Sequence, residues 1–126
     1  MTQAATHFAI IDVETTGSEP YRERITEIAV YRHDGNGVVD EFVSLINPER
    51  HIPDFISRLT GITDRMVEKA PFFYEVAKRI VEITENAIFV AHNASFDYHF
   101  VKAEFQRLEY PRSEERRVGK ECTLRC

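Results

Sequence analysis

The clearest pattern in the chain is the segment FAIIDVE at residues 8–14, in which an apolar run gives way to alternating apolar and polar residues. Alternation with a period of two is typical of a β-strand, whose successive side chains point to opposite faces. On such a strand Asp12 and Glu14 lie on one face, while Ile11 and Val13 lie on the other. The sequence therefore predicts a strand that brings two carboxylates together at its C-terminal end.

Further along the chain, the pattern predicts a hairpin and two helical segments. Residues 25–32 and 38–47 read as strands, and the HDGNG sequence between them is typical of a hairpin connection. Residues 54–59 predict a short helix, and Thr63 is a suitable cap for the turn that follows. Residues 71–85 predict an amphipathic helix. We expect its inward face to consist of Phe72, Phe73, Val76, Ile80 and Ile83.

A second acidic position follows at a junction between a predicted strand and a predicted helix. Residues 87–91 form a short apolar run, which His92 and Asn93 interrupt. The next residues predict a helix, because apolar side chains recur at spacings of three and four. Asp97 falls in the first turn of this helix. The predicted stripe runs through Phe96, Phe100, Val101, Ala103, Phe105 and Leu108, with Glu104 included in it.

Two interpretations of these acids are open from the residues alone. Asp12 and Glu14 repel each other unless a cation lies between them, and hard divalent ions such as Mg²⁺ and Mn²⁺ prefer oxygen ligands. Asp97 could supply a third ligand. The alternatives are a solvent-exposed strand end for the first two acids and, for Asp97, a favourable interaction with the N-terminus of its helix.

Together, the DVETTG sequence at residues 12–17 and the HNASFD sequence at 92–97 resemble the first two motifs of the DEDD exonuclease superfamily, DEDDh type. Within it, the chain is similar to the epsilon proofreading subunit of bacterial DNA polymerase III and related exonuclease domains. The resemblance covers about residues 8–111 and includes ITEIA at 25–29 and LTGIT at 59–63. It implies an α/β fold, a ribonuclease-H-like mixed sheet with flanking helices, incomplete at the C-terminus.

The resemblance also implies a function, namely divalent-metal-dependent hydrolysis of phosphodiester bonds at nucleic-acid 3′ ends. Asp12, Glu14 and Asp97 would be the catalytic residues and would bind two Mg²⁺ or Mn²⁺ ions. The partners would be single-stranded DNA or RNA 3′ ends and, for a proofreading enzyme, a DNA polymerase catalytic subunit. The substrate-binding residues would be Thr15, Thr16, Gly17, Ile62, Thr63 and Phe96. The residues supporting the metal site would be Glu27, His92 and Asn93, for which outward-facing, hydrogen-bonding and helix-capping roles are the alternatives.

One element of the family pattern is missing from this sequence, a His followed about five residues later by an Asp on a C-terminal helix. No histidine occurs after residue 111. His99 lies two residues after Asp97 and therefore points to a different face of the same helix. Without the His there is no general base for the attacking water. The alternative function is therefore an inactive fragment or a nucleic-acid-binding module.

The C-terminal residues suggest a reason for this departure. Residues 112–122, RSEERRVGKEC, match the in-frame translation of a common sequencing-library adapter. We therefore predict that residues 1–111 are the N-terminal part of an exonuclease domain and that residues 112–126 are a non-native tail. The alternatives are an ordinary charged surface segment and, for residues 122–125, native sequence that resumes after the adapter.

Composition restricts the class of protein further. The 126 residues suit one domain, and the part before residue 112 carries 11 basic against 18 acidic side chains, a net charge of −7. This charge argues against non-specific duplex binding, but a single-stranded end can be bound by stacking and local donors. Both cysteines follow residue 111, and neither a signal peptide nor an apolar run of the ~18 residues that span a membrane is present. We expect a cytoplasmic protein that makes no membrane contact.

Overall fold

The computed structural model describes residues 5–108. Within this range three strands are followed by three helices, and then by a short fourth strand and a fourth helix, which is the longest of the four. In chain order the elements are β1 (Phe8–Thr15), β2 (Ile25–His33), β3 (Val38–Leu45), α1 (Asp54–Thr60), α2 (Asp64–Val67), α3 (Phe73–Thr84), β4 (Ile88–Val90) and α4 (Ala94–Arg107).

The four strands form one mixed sheet in the order β3-β2-β1-β4. The pairs β1–β2 and β2–β3 are antiparallel, whereas β4 runs parallel to β1. Because β4 has three residues, it pairs only with Phe8–Ile10, and within residues 5–108 the C-terminal half of β1 has no strand neighbour on that side. The predicted α/β fold with a mixed sheet and flanking helices is confirmed.

One face of the sheet forms the main hydrophobic core. Along β1 the side chains of Ile11 and Val13 are buried, while Asp12 is exposed, which is the predicted alternation. Helices α3 and α4 pack against this apolar face, and Phe73 meets Phe105 edge to face between the two helices. Strand β1 therefore presents Ile11 and Val13 to the helices and Asp12 to the opposite face.

Helices α1 and α2 form a second, smaller apolar cluster around Ile56 and Ile62. Gly61 ends α1 in the left-handed conformation, at φ 80°, that glycine adopts without strain. The predicted cap is present, since the Thr63 hydroxyl oxygen accepts a hydrogen bond from the Met66 amide at 3.3 Å. Leu45, at the end of β3, packs against this cluster and so joins it to the sheet.

Three sequence predictions differ from the structure or lie outside it. Phe72 is not an inward residue of α3, because it precedes the helix and stacks, half-exposed, on Tyr74. The third strand ends at residue 45 instead of 47, since Asn47 bridges to Phe72 instead. The predicted tail, residues 112–126, lies outside the described residues, and its boundary stays a prediction. Within residues 5–108 no helix is long and apolar enough to cross a membrane.

The core can be tested with two phenylalanines on different helices. Phe100 of α4 is fully buried and Phe55 of α1 is 62% exposed. We expect Phe100→Ala to lower the free energy of unfolding by about 3–5 kcal/mol, because it leaves a cavity in the main core. Phe55→Ala should change it by less than about 0.5 kcal/mol. Urea denaturation followed by circular dichroism measures both, and equal losses would contradict the described packing.

Candidate active site

Two of the predicted site residues lie side by side on β1. Asp12 is exposed and Glu14 is half-buried, and both project from the face opposite the main core. In the β1–β2 ladder Glu14 lies directly across from Glu27. Directly paired residues of an antiparallel sheet share a face, with Cβ atoms about 5 Å apart. Glu27 therefore adds a third carboxylate to this face of the sheet.

Asp97 reaches the same strand from α4. It lies in the first turn of the helix and is only 4% exposed. Its Oδ2 accepts a hydrogen bond from the Val13 backbone amide at 3.1 Å. This amide lies beyond the end of β4, which pairs with β1 no further than Ile10. Asp97 is thus bound to the backbone of the residue between Asp12 and Glu14.

The electrostatics of these acids show mutual repulsion that no ion pair within the described residues offsets. Burial raises the pKa of Glu14, and the negative charges of Asp12, Glu27 and Asp97 raise it further. Burial also raises the pKa of Asp97, an effect that the Val13 hydrogen bond opposes and the charge of Asp12 reinforces. Among the described residues no Lys or Arg forms an ion pair with any of the four.

The donor chemistry of this cluster fits a divalent cation. All its side-chain donors are carboxylate oxygens, which are the ligands that Mg²⁺ and Mn²⁺ prefer, and a bound cation would remove their repulsion. Within residues 5–108, however, no three His, Cys, Asp or Glu side chains are arranged to hold a metal ion as they stand. The roles of Asp12, Glu14 and Asp97 as catalytic residues and ligands therefore stay predictions.

The turn after Glu14 is held by several hydrogen bonds. Thr16 is buried, and its hydroxyl donates to Glu23 Oε1 at 2.7 Å and accepts from the Arg24 amide at 3.0 Å. The Thr15 hydroxyl donates to the Gly17 carbonyl. Because both hydroxyls are engaged, a substrate would meet mainly the backbone of this turn.

The remaining predicted substrate residues are placed around the same end of the sheet. Leu45, which anchors the α1–α2 cluster, pairs with Glu27 across the β2–β3 ladder, and Glu27 pairs with Glu14. Ile62 is buried in that cluster, and the Thr63 side chain caps α2, as described above. Phe96 is half-buried against Phe100, with ring centroids 4.8 Å apart. Their contacts with substrate stay predictions.

The two predicted residues of the β4–α4 junction, His92 and Asn93, are exposed. His92 contributes a minor favourable interaction with the Asp97 carboxylate, which lowers the pKa of that group slightly. Asn93 occupies the cap position of α4, but its side chain makes no capping hydrogen bond, and only its carbonyl accepts from the Asp97 amide at 3.1 Å. The ring of His99 bonds back to the Ser95 carbonyl of its own helix. None of these contacts assigns a catalytic histidine.

Sequence reasoning missed one group of residues next to the site. Glu104 of α4 is 1% exposed and is bonded by Arg24, which follows the turn. A carboxylate within the apolar stripe of a helix requires a hydrogen-bonding partner, so the sequence pattern indicates that Glu104 has one. The partner lies 80 residues away in the chain, and no local pattern identifies it.

Comparison with known proteins places this arrangement in a family context. Residues 9–121 match the RNase T family model, described as an exonuclease. A 3′-5′ exonuclease DinG from Bacillus subtilis is 42% identical over 101 residues, or 79% of this chain and 11% of that protein. A PolC-type DNA polymerase III from Caldanaerobacter subterraneus is 39% identical over 101 residues, or 80% of this chain and 7% of that protein. The chain thus spans about a tenth of the length of these relatives.

Solved structures show the same fold. A zinc-bound complex of Escherichia coli exonuclease I with single-stranded DNA has a TM-score of 0.74, with 22% sequence identity. That match covers 82% of this chain and 24% of the exonuclease I chain. Exonuclease I without a ligand gives the same TM-score and identity. At this level of identity the likeness concerns the arrangement of strands and helices.

The turn offers a prediction with an internal control. A Cβ added at Gly17 would lie 2.7 Å from Glu23 Cδ and 2.8 Å from its Cγ, whereas one added at Gly37 would meet nothing within 4 Å. Gly17→Ala must displace Glu23 from Thr16, so we expect a loss of about 1–3 kcal/mol in unfolding free energy. Gly37→Ala should leave it unchanged or raise it by less than about 1 kcal/mol. Denaturant titrations decide, and a neutral Gly17→Ala would contradict this geometry.

Proposed function

Since the chain belongs to the RNase T family of 3′-5′ exonucleases, we propose that it carries the catalytic carboxylates of an exonuclease acting on single-stranded 3′ ends. The observation that carries this proposal is the binding of Asp97 to the Val13 amide, between Asp12 and Glu14. Acids from two elements far apart in the sequence thereby meet at one edge of the sheet. Such repulsion lowers the stability of the fold, whereas a site for cations requires carboxylates that lie close together.

Divalent metal ions are generally used by this family. We propose that Asp12, Glu14 and Asp97 hold two Mg²⁺ or Mn²⁺ ions, with Glu27 adding negative charge beside them. When bound, such ions make a coordinated water more acidic and stabilise negative charge on the phosphate and on the leaving oxygen. The residues themselves fix where the cations and the phosphate meet, because Asp97 is tied to the strand that carries the other two acids.

The substrate is proposed to lie between the turn and the α1–α2 cluster. Backbone groups of residues 15–17 would contact the terminal nucleotide on one side, and Ile62 and Thr63 would contact it on the other. Phe96 would provide an apolar contact near Asp97, which lies one residue further along α4. The negative charge of the chain is compatible with this proposal, because cations would neutralise the acids and a single strand can be bound by stacking.

Finer assignments rest on the relatives. A PolC-type DNA polymerase III and DinG exonucleases are among them, which supports a DNA substrate, and a polymerase partner if the role is proofreading of the kind performed by the epsilon subunit. RNA 3′ ends are the alternative substrate, because the described site does not distinguish the two sugars. We also propose a cytoplasmic location, since residues 1–111 contain no cysteine that an oxidising compartment would pair.

A second candidate function is binding of nucleic-acid ends without hydrolysis. The placement of the histidines near the acids favours it. Within residues 5–108 the His99 ring is hydrogen-bonded to its own helix, and His92 is exposed in a loop. Neither is placed as a general base, whose contribution is typically ~10²–10⁴-fold. On this alternative the acids would bind cations that hold a terminal phosphate.

The test uses a single-stranded oligonucleotide labelled at its 5′ end, with Mg²⁺ or Mn²⁺ present. We expect the 126-residue chain to hydrolyse it weakly, and a chimera in which residues 1–111 continue into the exonuclease domain of the B. subtilis relative to trim it from the 3′ end. Glu14→Gln in the chimera should lower the rate by at least ~10²-fold, because a metal ligand is lost. Product ladders on denaturing gels give the rates.

Glu41→Gln is the matched control, because Glu41 is exposed on β3 and its partner Tyr31 pairs with Ile10 on the face that carries Glu14. Its rate should stay within about twofold of the unchanged chimera, since this surface substitution alters none of the proposed site residues. Internal cleavage, activity that persists in a chelator, or full activity of the Glu14→Gln chimera would contradict the exonuclease proposal. Cation-dependent binding without any trimming would favour the second candidate.

A further inference from the structure

A buried charged group joins α4 to the chain segment behind the turn. Glu104 Oε2 accepts from Arg24 Nε at 3.0 Å and from the Ile25 amide at 3.0 Å, and its Oε1 accepts from Arg24 Nη2 at 2.9 Å. A two-point contact of this kind fixes the guanidinium in orientation as well as in distance. The start of β2 is therefore bound to α4 through both a side chain and a backbone amide.

Arg107, one helical turn further along, extends this contact to the loop before β2. Its Nη2 donates to the Pro20 carbonyl at 2.9 Å and to the Glu23 carbonyl at 3.1 Å, and its Nη1 lies 3.5 Å from Glu104 Oε2. One carboxylate thus holds two arginines. Between them, the arginines secure residues 20–25 to the helix.

Residues 20–25 also determine the position of the turn at residues 15–17. The Thr16 amide donates to the Arg24 carbonyl at 2.9 Å, and the Thr16 hydroxyl contacts both Arg24 and Glu23. The Glu23 side chain occupies the space beside Gly17 that a larger residue would fill. The position of residues 16 and 17 therefore depends on residues 23 and 24. The position of residues 23 and 24 depends on Glu104.

We propose that Glu104 is a positioning residue, which through Arg24 and Arg107 fixes the turn at residues 15–17 beside Asp12 and Glu14. The consequence for a nucleotide rests on the function proposed above. Glu104 lies seven residues after Asp97, about two helical turns, so both acids face the sheet from one side of α4. The same helix thereby places an acid at β1 and places the turn that follows β1.

A purely stabilising role explains the group less well. Replacing a buried ion pair with apolar residues is often neutral or stabilising, so the burial of Glu104 against two partly exposed arginines is weak evidence for a stabilising role. The contacts of Glu104 specify orientation instead, because its hydrogen-bond donors, Arg24 and the Ile25 amide, lie at the start of β2. Its ion-pair partner Arg107 binds the loop before β2. The experiment must therefore separate local order from global stability.

The test compares Glu104→Gln with Ile83→Val in the full 126-residue chain. Ile83 lies in the main core on α3 and takes no part in the loop contacts, and its truncation typically costs about 0.5–1.5 kcal/mol. Residue-resolved amide exchange by NMR is the first readout. We expect Glu104→Gln to accelerate exchange of the Thr16 and Arg24 amides at least ~10-fold more than that of the β1 amides, and Ile83→Val to show no such local excess.

The second readout is binding of Mn²⁺ and of deoxythymidine 5′-monophosphate in its presence. Glu104→Gln should weaken nucleotide binding at least ~5-fold, because the turn loses its fixed position. Mn²⁺ binding should stay within about twofold, because Asp12, Glu14 and Asp97 are not altered. Arg24→Lys should act in the same direction, since lysine keeps the charge and loses the two-point contact. This variant decides the matter if Glu104→Gln does not fold.

The outcomes separate this proposal from the function it rests on. Uniformly faster exchange in Glu104→Gln, as in Ile83→Val, would overturn the positioning role, and so would local loosening with unchanged nucleotide binding. If the unaltered chain binds neither Mn²⁺ nor the nucleotide, the proposed function fails. In that case local exchange alone decides whether Glu104 fixes the turn.

Discussion

The architecture of the candidate site depends on one backbone amide of β1, that of Val13, which has no strand partner on its side of the sheet within the described residues. Buried backbone amides need acceptors, but β4 pairs with β1 only as far as Ile10. The Val13 amide beyond that point would be buried without an acceptor, at a cost comparable to a lost hydrogen bond. Asp97 supplies the acceptor. A backbone requirement of the sheet thereby draws a third carboxylate to the strand that already carries two.

Much of this arrangement is local enough to be predicted from the sequence. The period of two at residues 8–14 predicts the shared face of Asp12 and Glu14, and the spacing of apolar residues after position 93 predicts α4 with Asp97 in its first turn. Both patterns depend on neighbours within one element. The pairing of Glu14 with Glu27 is harder, because it requires the register of β1 against β2, which the intervening loop does not specify.

Contacts between distant residues account for the rest. Glu104 was predicted as part of an apolar stripe, and the structure keeps it buried, but Arg24 and Arg107 decide how its charge is accommodated. Phe72 was assigned to the inward face from helical spacing alone. The helix begins one residue later, and Phe72 bridges to Asn47 instead. Helical spacing identifies a face, whereas the end of the helix depends on what the preceding chain contacts.

The two buried acids of α4 differ in their partners, and only Asp97 is proposed to take part in the chemistry. Glu104 is surrounded by two guanidinium groups and an amide. Asp97 accepts one backbone hydrogen bond, and burial raises its pKa with no cation paired to it within the described residues. Leaving a buried carboxylate next to Asp12 and Glu14 lowers stability, whereas an arginine at Asp97 would relieve the repulsion. An arginine there would also displace any divalent ion, so the missing partner is the feature that the proposed metal chemistry requires.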